Sequence, residues 1–163
     1  MLRTLVDTIR ANHALEHATM HLLARRCPGT RLVGRSSPSG FAILGPAETD
    51  EVVGATAEAL ARLQHGEAHL AIHPNCGTNA VVTALLVGGS AVAAASGRAR
   101  SRWERLPLVF LVATLAAIVA QPLAYFVQEH VTTSAALVGA RVEDIRREEH
   151  GGLVVHHVRV RRG

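Results

Sequence analysis

A chain of 163 residues with 48% hydrophobic but only 3% aromatic side chains can form one domain with its own core, or a smaller domain attached to a membrane anchor. All 17 basic residues are arginine against 13 acids, for a net charge of +4; they are scattered, without interleaved aromatics or a binding motif, which argues against a nucleic-acid partner. Two cysteines, Cys27 and Cys76, make no disulfide framework, and the opening amphipathic helix does not read as a cleavable signal peptide, so a small secreted disulfide protein is not expected.

The first helix is expected from about Leu2 to Arg26, stopped by Pro28-Gly29. At about 100° per residue its apolar stripe is Leu2, Leu5, Val6, Ile9, Met20 and Leu23, with His13, Glu16 and His17 inside it. Burying an acid and two imidazoles costs several kcal/mol unless they are paired or bind a metal, so the stripe points to a site. The period then changes. Arg31–Arg35 and Phe41–Gly45 flank Ser36-Ser-Pro-Ser-Gly40 and predict a β-hairpin. A cap at Thr49 or Asp50 precedes a second helix through Leu63, closed by Gly66. Ala68–Ile72 is expected as a short strand delivering the chain into His73-Pro-Asn-Cys-Gly-Thr-Asn79.

From Ala80 to Ser96 there is no charge and the apolar character runs all round, near the lower length limit of a membrane span. Gly88, Gly89, Ala91, Ala93, Ala94 and Ala95 permit close helix approach, which offers a route to a homo-oligomer. Leu106–Val127 is a second span, with only Gln121 polar and a kink expected at Pro122. Four arginines and Trp103 between residues 97 and 105 fit a membrane boundary. The two spans make a hairpin, so the segments before and after it emerge on the same side of the bilayer.

A second β-hairpin is expected from Arg141–Arg147 and Leu153–Val160, turning at His150-Gly-Gly152. A two-stranded ribbon alone is marginal; it should join the first hairpin in one sheet with the helices on one face. The fold class is therefore an α+β membrane protein, a small helix-plus-antiparallel or mixed-sheet domain interrupted by a two-helix transmembrane hairpin. Its parts are residues 1–78, the hairpin 79–128 and the closing strands 135–163. The location is a bacterial inner membrane, crossed more than once. Sidedness stays open: the arginine-rich connection favours a cytoplasmic loop, whereas a helix-first domain without a signal peptide favours a cytoplasmic domain.

His13-Ala-Leu-Glu-His17 has the form H-x-x-E-H, the inverse of H-E-x-x-H and the pattern of inverzincin metallopeptidases. Residues i and i+4 share a helical face, so two imidazoles can hold one zinc at about 2.0–2.1 Å while Glu16 acts as general base toward a bound water. His73-Pro-Asn-Cys76 supplies a second pair of borderline-soft ligands in a tight loop. His73 is the expected third ligand; Cys76 is its alternative, or a fourth that would close the site, or else a small buried thiol. His21 rotates to the edge of the stripe and suits a supporting or surface position; His65, His69 and Glu67 rank below His73. His156 and His157 point to opposite faces of a strand, so at most one can face a site. Cys27 reads as structural.

The run Asn12–His21, Gly40-Phe41, His73–Asn79 leading into a span, and Pro122-Leu followed by Gln128–Ser134 together resemble an uncharacterised bacterial membrane-protein family, a domain of unknown function found in cyanobacteria and Chloroflexi-type bacteria. The likeness covers nearly the whole chain. The first and third of these motifs are also similar to a second uncharacterised membrane family with H-G-A-E-H and H-P-R-C-G-T-S segments, from which this chain departs at Ala14-Leu15, at Asn75 and in its short two-span hairpin. The paired motifs imply that His13, Glu16, His17, His73 and Cys76 form one site; they imply no reaction.

The expected function is an integral-membrane metal-binding protein holding Zn2+ through His13, His17, His73 and Cys76. With Glu16 activating water it would be a hydrolase or peptidase acting on a peptide or protein at the bilayer surface. No downstream inverzincin glutamate can be assigned. The alternative is a non-catalytic membrane module with a structural metal site or a buried polar network. Haem or other metal handling is a third reading, without a haem-attachment motif.

Overall fold

The computed structural model describes residues 2–96 and 102–162. The chain divides into two compact units, Met1–His73 with Glu129–Gly163, and Pro74–Gln128. Most of the expected arginine-rich connection, residues 97–101, lies outside the described residues.

In the first unit, helices α1 (Leu2–Arg26) and α2 (Thr49–Gln64) cover a four-stranded sheet of β1 (Val33–Ser37), β2 (Gly40–Leu44), β3 (Ala140–His150) and β4 (Leu153–Arg162). The strand order is β1-β2-β4-β3 and every pairing is antiparallel. The two hairpins thus share one sheet, as expected from the marginal stability of a lone two-stranded ribbon. Ser37 pairs with Gly40 around Pro38-Ser39, so the turn is tighter than expected: the first strand lies two residues later than its apolar run indicated and the second one residue earlier. The second turns on Gly151 and Gly152, whose φ values of 59° and 81° are those of a two-residue type I′ turn. Both strands of this hairpin run past their expected ends.

Phe41, Ile43, Val158 and His156 face the helices and are buried with Leu15, Leu23, Val52 and Ala55. The opposite sheet face carries Arg35, Arg146, His157 and Arg159. His156 and His157 therefore do part to opposite faces: His156 is fully buried against the Thr49 hydroxyl at 3.1 Å, and His157 lies beside Glu148. Because Thr49 is used this way, it does not cap α2; the N-cap position is Glu48, without a side-chain cap bond. Gly66 closes the helix as expected, with its N–H on the Leu63 carbonyl and the Glu67 N–H on that of Arg62, a Schellman pattern.

Two sequence expectations are corrected here. Ala68–Ala71 is a single 3-10 turn, not a strand: Leu70 N–H bonds back to Glu67 and Ile72 N–H to His69, and only Ile72 is extended. All four strands of the sheet come from other segments, so this stretch satisfies its backbone locally. The start of the α1 stripe is also not core, since Leu5 and Val6 are 45% and 48% exposed. The helix is buried in its middle, where every residue from Ala11 to Thr19 except His13 is enclosed. Ala11, Ala14 and Ala18 let neighbouring backbone approach closely there.

The second unit contains α3 (Gly77–Ala95) and α4 (Arg102–Val127). Asn79, in the first turn of α3, accepts from Gln128 just beyond α4, and Arg105 at the start of α4 donates to the Ala95 carbonyl. The helices consequently run antiparallel. α4 continues through Pro107 and Pro122. The stretches Gly77–Ala95 and Trp103–Thr132, with mean hydropathies of 1.6 and 2.2, are long and apolar enough to cross a membrane. Leu85, Phe110 and Ile118 are 71%, 68% and 66% exposed, so these helices present apolar surface of the kind that marks an interaction site.

Candidate metal centre

The middle of α1 distributes its polar residues to two sides. Asn12 and Glu16, one turn apart, face the first hairpin: Asn12 Nδ2 donates to the Ser37 carbonyl at 2.8 Å and the Glu16 carboxylate accepts from the Ser36 hydroxyl. Gly34 leaves the room, because a Cβ there would overlap that carboxylate. Glu16 is 7% exposed and Asn12 fully buried. Adjacent helix positions diverge by about 100°, so His17 turns away from β1.

His13, His17 and His21 form an i, i+4, i+8 row on that other side. His13 Nδ1 lies 2.9 Å from the Thr132 carbonyl, His17 Nδ1 2.6 Å from that of Ala71, and His21 Nε2 2.7 Å from that of Ile72. A carbonyl only accepts, so each of these nitrogens carries the proton. The lone pairs are thereby assigned to Nε2 of His13, Nε2 of His17 and Nδ1 of His21. An imidazole whose one N–H is held by a backbone carbonyl and whose other nitrogen presents a lone pair is the arrangement that metal-binding histidines adopt.

His73 enters the same row just after the 3-10 turn and the extended Ile72. Its ring centre is 5.6 Å from that of His17 and 4.7 Å from that of His21, while His13 and His17 stand at 4.2 Å. The structure thus brings His13, His17 and His73 into one cluster and adds His21, which the stripe had placed at its edge. The signal for His21 was the continued i+4 spacing. His65 and His69 are exposed, and Glu67 pairs with Arg62, so none of the three belongs to the row. Cys76 is the N-cap residue of α3, its sulfur accepting from the Thr78 N–H at 3.4 Å. Arg10 gave no sequence signal, yet it donates to the carbonyls of His130 and Thr133 and holds beside His13 the segment whose Thr132 carbonyl orients that ring.

Burial, helped by the neighbouring imidazoles of His21 and His17, holds His73 down at about 4, from an ordinary 6.5. Its imidazole is neutral at pH 7 and suited to ligation. The sign for stability follows from proton binding: between pH 6.5 and about 4 the unfolded chain takes up a proton that the fold refuses, so stability falls as pH drops through that window. His156, also lowered by burial and by Arg147, acts in the same direction. The His73→Gln variant should therefore show a shallower loss of denaturation midpoint between pH 6.5 and 4 than the parent; parallel curves would refute the assignment.

A sequence profile described as "Domain of unknown function (DUF6391)" matches residues 8–145. The chain belongs to this family. The DUF6391 match takes in the histidine row of α1, His73, the loop after it and both apolar helices. An uncharacterized protein of Picosynechococcus sp. is 36% identical over 162 residues, spanning 94% of this chain and 79% of that relative. No solved structure matches the chain.

Proposed function

We propose that this DUF6391 member is a multi-pass protein of the bacterial inner membrane that binds a divalent transition ion, with zinc the first candidate. The observation that carries the reading is the set of three imidazoles, each with one N–H fixed on a backbone carbonyl. The proposed ligands are His13 and His17, with His73 and Cys76 as further ligands on their H-x-x-C spacing. An ion held by imidazole and thiolate matches borderline-soft chemistry. The two apolar helices support the membrane location, and the small residues of α3 offer a surface for homo-oligomers.

With Glu16 in the H-x-x-E-H position, such a centre would serve hydrolysis of a peptide or related bond at the bilayer surface: a bound ion would supply Lewis-acid chemistry, and Glu16 would be the group that takes a proton from water. One observation favours a structural role instead: the Glu16 carboxylate is engaged by the Ser36 hydroxyl and packed over Gly34, which ties α1 to β1. Elemental analysis of the full chain in nanodiscs tests the reading. Parent protein should carry about one tightly bound ion, His13→Ala should lose it, and Glu16→Gln should keep it. Metal-free parent protein, after growth and purification with zinc, would overturn the proposal. An unchanged melting temperature on chelation would argue for catalysis; unfolding would argue for the structural role.

A further inference from the structure

The row is longer than one ion can span. Two nitrogens bound to the same zinc at about 2.0–2.1 Å lie within about 4 Å of each other, whereas eight residues of helix carry the chain about 12 Å from His13 to His21. Each ring is anchored at a different carbonyl, Thr132 for His13 and Ile72 for His21. The ring contacts divide the row the same way. His13 pairs with His17 at 4.2 Å and His21 with His73 at 4.7 Å, while the link between the pairs, His17 to His73, is the longest at 5.6 Å. Of the four rings His17 alone is enclosed, at 2% exposed; His13, His21 and His73 are part-buried.

We propose that His21 and His73 form a second, outer site for a divalent transition ion, distinct from the inner pair His13–His17. This rests on the metal reading of the inner pair, and it assigns His73 to the outer ion. Two imidazoles completed by water make a weaker, exchangeable site than one with three or four protein ligands. Ala71 and Ile72, consecutive in the chain, each accept from one of the two turns of α1, His17 and His21. The backbone that orients the inner ring therefore also orients the outer one.

The test is a Co2+ titration of the full chain in nanodiscs after chelator treatment, read by absorption and by bound-metal stoichiometry. The parent should take about two equivalents in a tight and a weak phase. His21→Gln keeps an N–H for the Ile72 carbonyl but has no imidazole lone pair; it should lose the weak phase alone, leaving about one equivalent and an unchanged apo melting temperature. His13→Ala should lose the tight phase and keep the weak one. A parent that takes one equivalent, or a His21→Gln protein that still takes two, overturns the outer site while leaving the inner centre standing. A parent that takes none overturns both.

Discussion

Leu15→Ala should lower the stability of the helix-and-sheet unit by about 2–5 kcal/mol, the range for deleting most of a fully enclosed leucine. Leu15 has 0% exposure and sits in the core with Leu23, Phe41, Ile43 and Val52. Its neighbours come from a helix and a sheet whose backbones are fixed by their own hydrogen bonds, so the space is not expected to close by collapse. Against a typical total of about 5–15 kcal/mol the loss is large. Equilibrium denaturation of the nanodisc-held protein gives the value. Leu5→Ala is the control: at 45% exposure it should change stability by less than about 0.5 kcal/mol, and equal losses at the two sites would refute the burial argument.

Gly40→Ala should cost at least as much, for a different reason. Gly40 has φ of 147°, a conformation L side chains avoid, and an added Cβ would strike the Val158 carbonyl of β4. Backbone strain of this kind is worth about 1–3 kcal/mol. The clash adds to it, because the obstructing atom belongs to a backbone held in the β2–β4 ladder and cannot rotate aside. Thermal melting should fall sharply, and amide exchange should accelerate first at Val160, whose N–H bonds to Ser39 beside the substituted turn. Retention of parental exchange at that amide would show that the hairpin can shift without cost.

Much of this arrangement was legible in the sequence because it rests on short-range rules. Pro28-Gly29 ended α1, paired glycines turned the second hairpin, and uncharged runs marked α3 and α4. The errors share one physical origin, tertiary contact overriding a local pattern. Ala68–Ile72 has the apolar character of a strand but no partner strand, and its carbonyls serve two histidines instead. Thr49 has the chemistry of a cap, yet its hydroxyl meets His156 on a strand more than a hundred residues later. In the candidate centre, periodicity separated His13, Glu16 and His17 from the arginines of α1. It could not reveal that His17 and His21 both lean on the residues preceding His73, nor that Glu16 turns toward Ser36. Those facts depend on where distant backbone passes.

The strand order has a consequence for biogenesis. β4 is the last strand in the chain, yet it lies between β2 and β3 and supplies the ladder that joins the early hairpin to the late one. During synthesis α1, β1, β2 and α2 leave the ribosome first, followed by the two apolar helices, and only then by the strand that completes the sheet. The early half must wait with Phe41 and Ile43 uncovered on one side while the two apolar helices are made. Closure of the sheet is then a long-range event of the slow kind. A nascent chain stalled before Leu153 should therefore expose β2 as an unpaired edge, which makes this stage the one most in need of protection from aggregation.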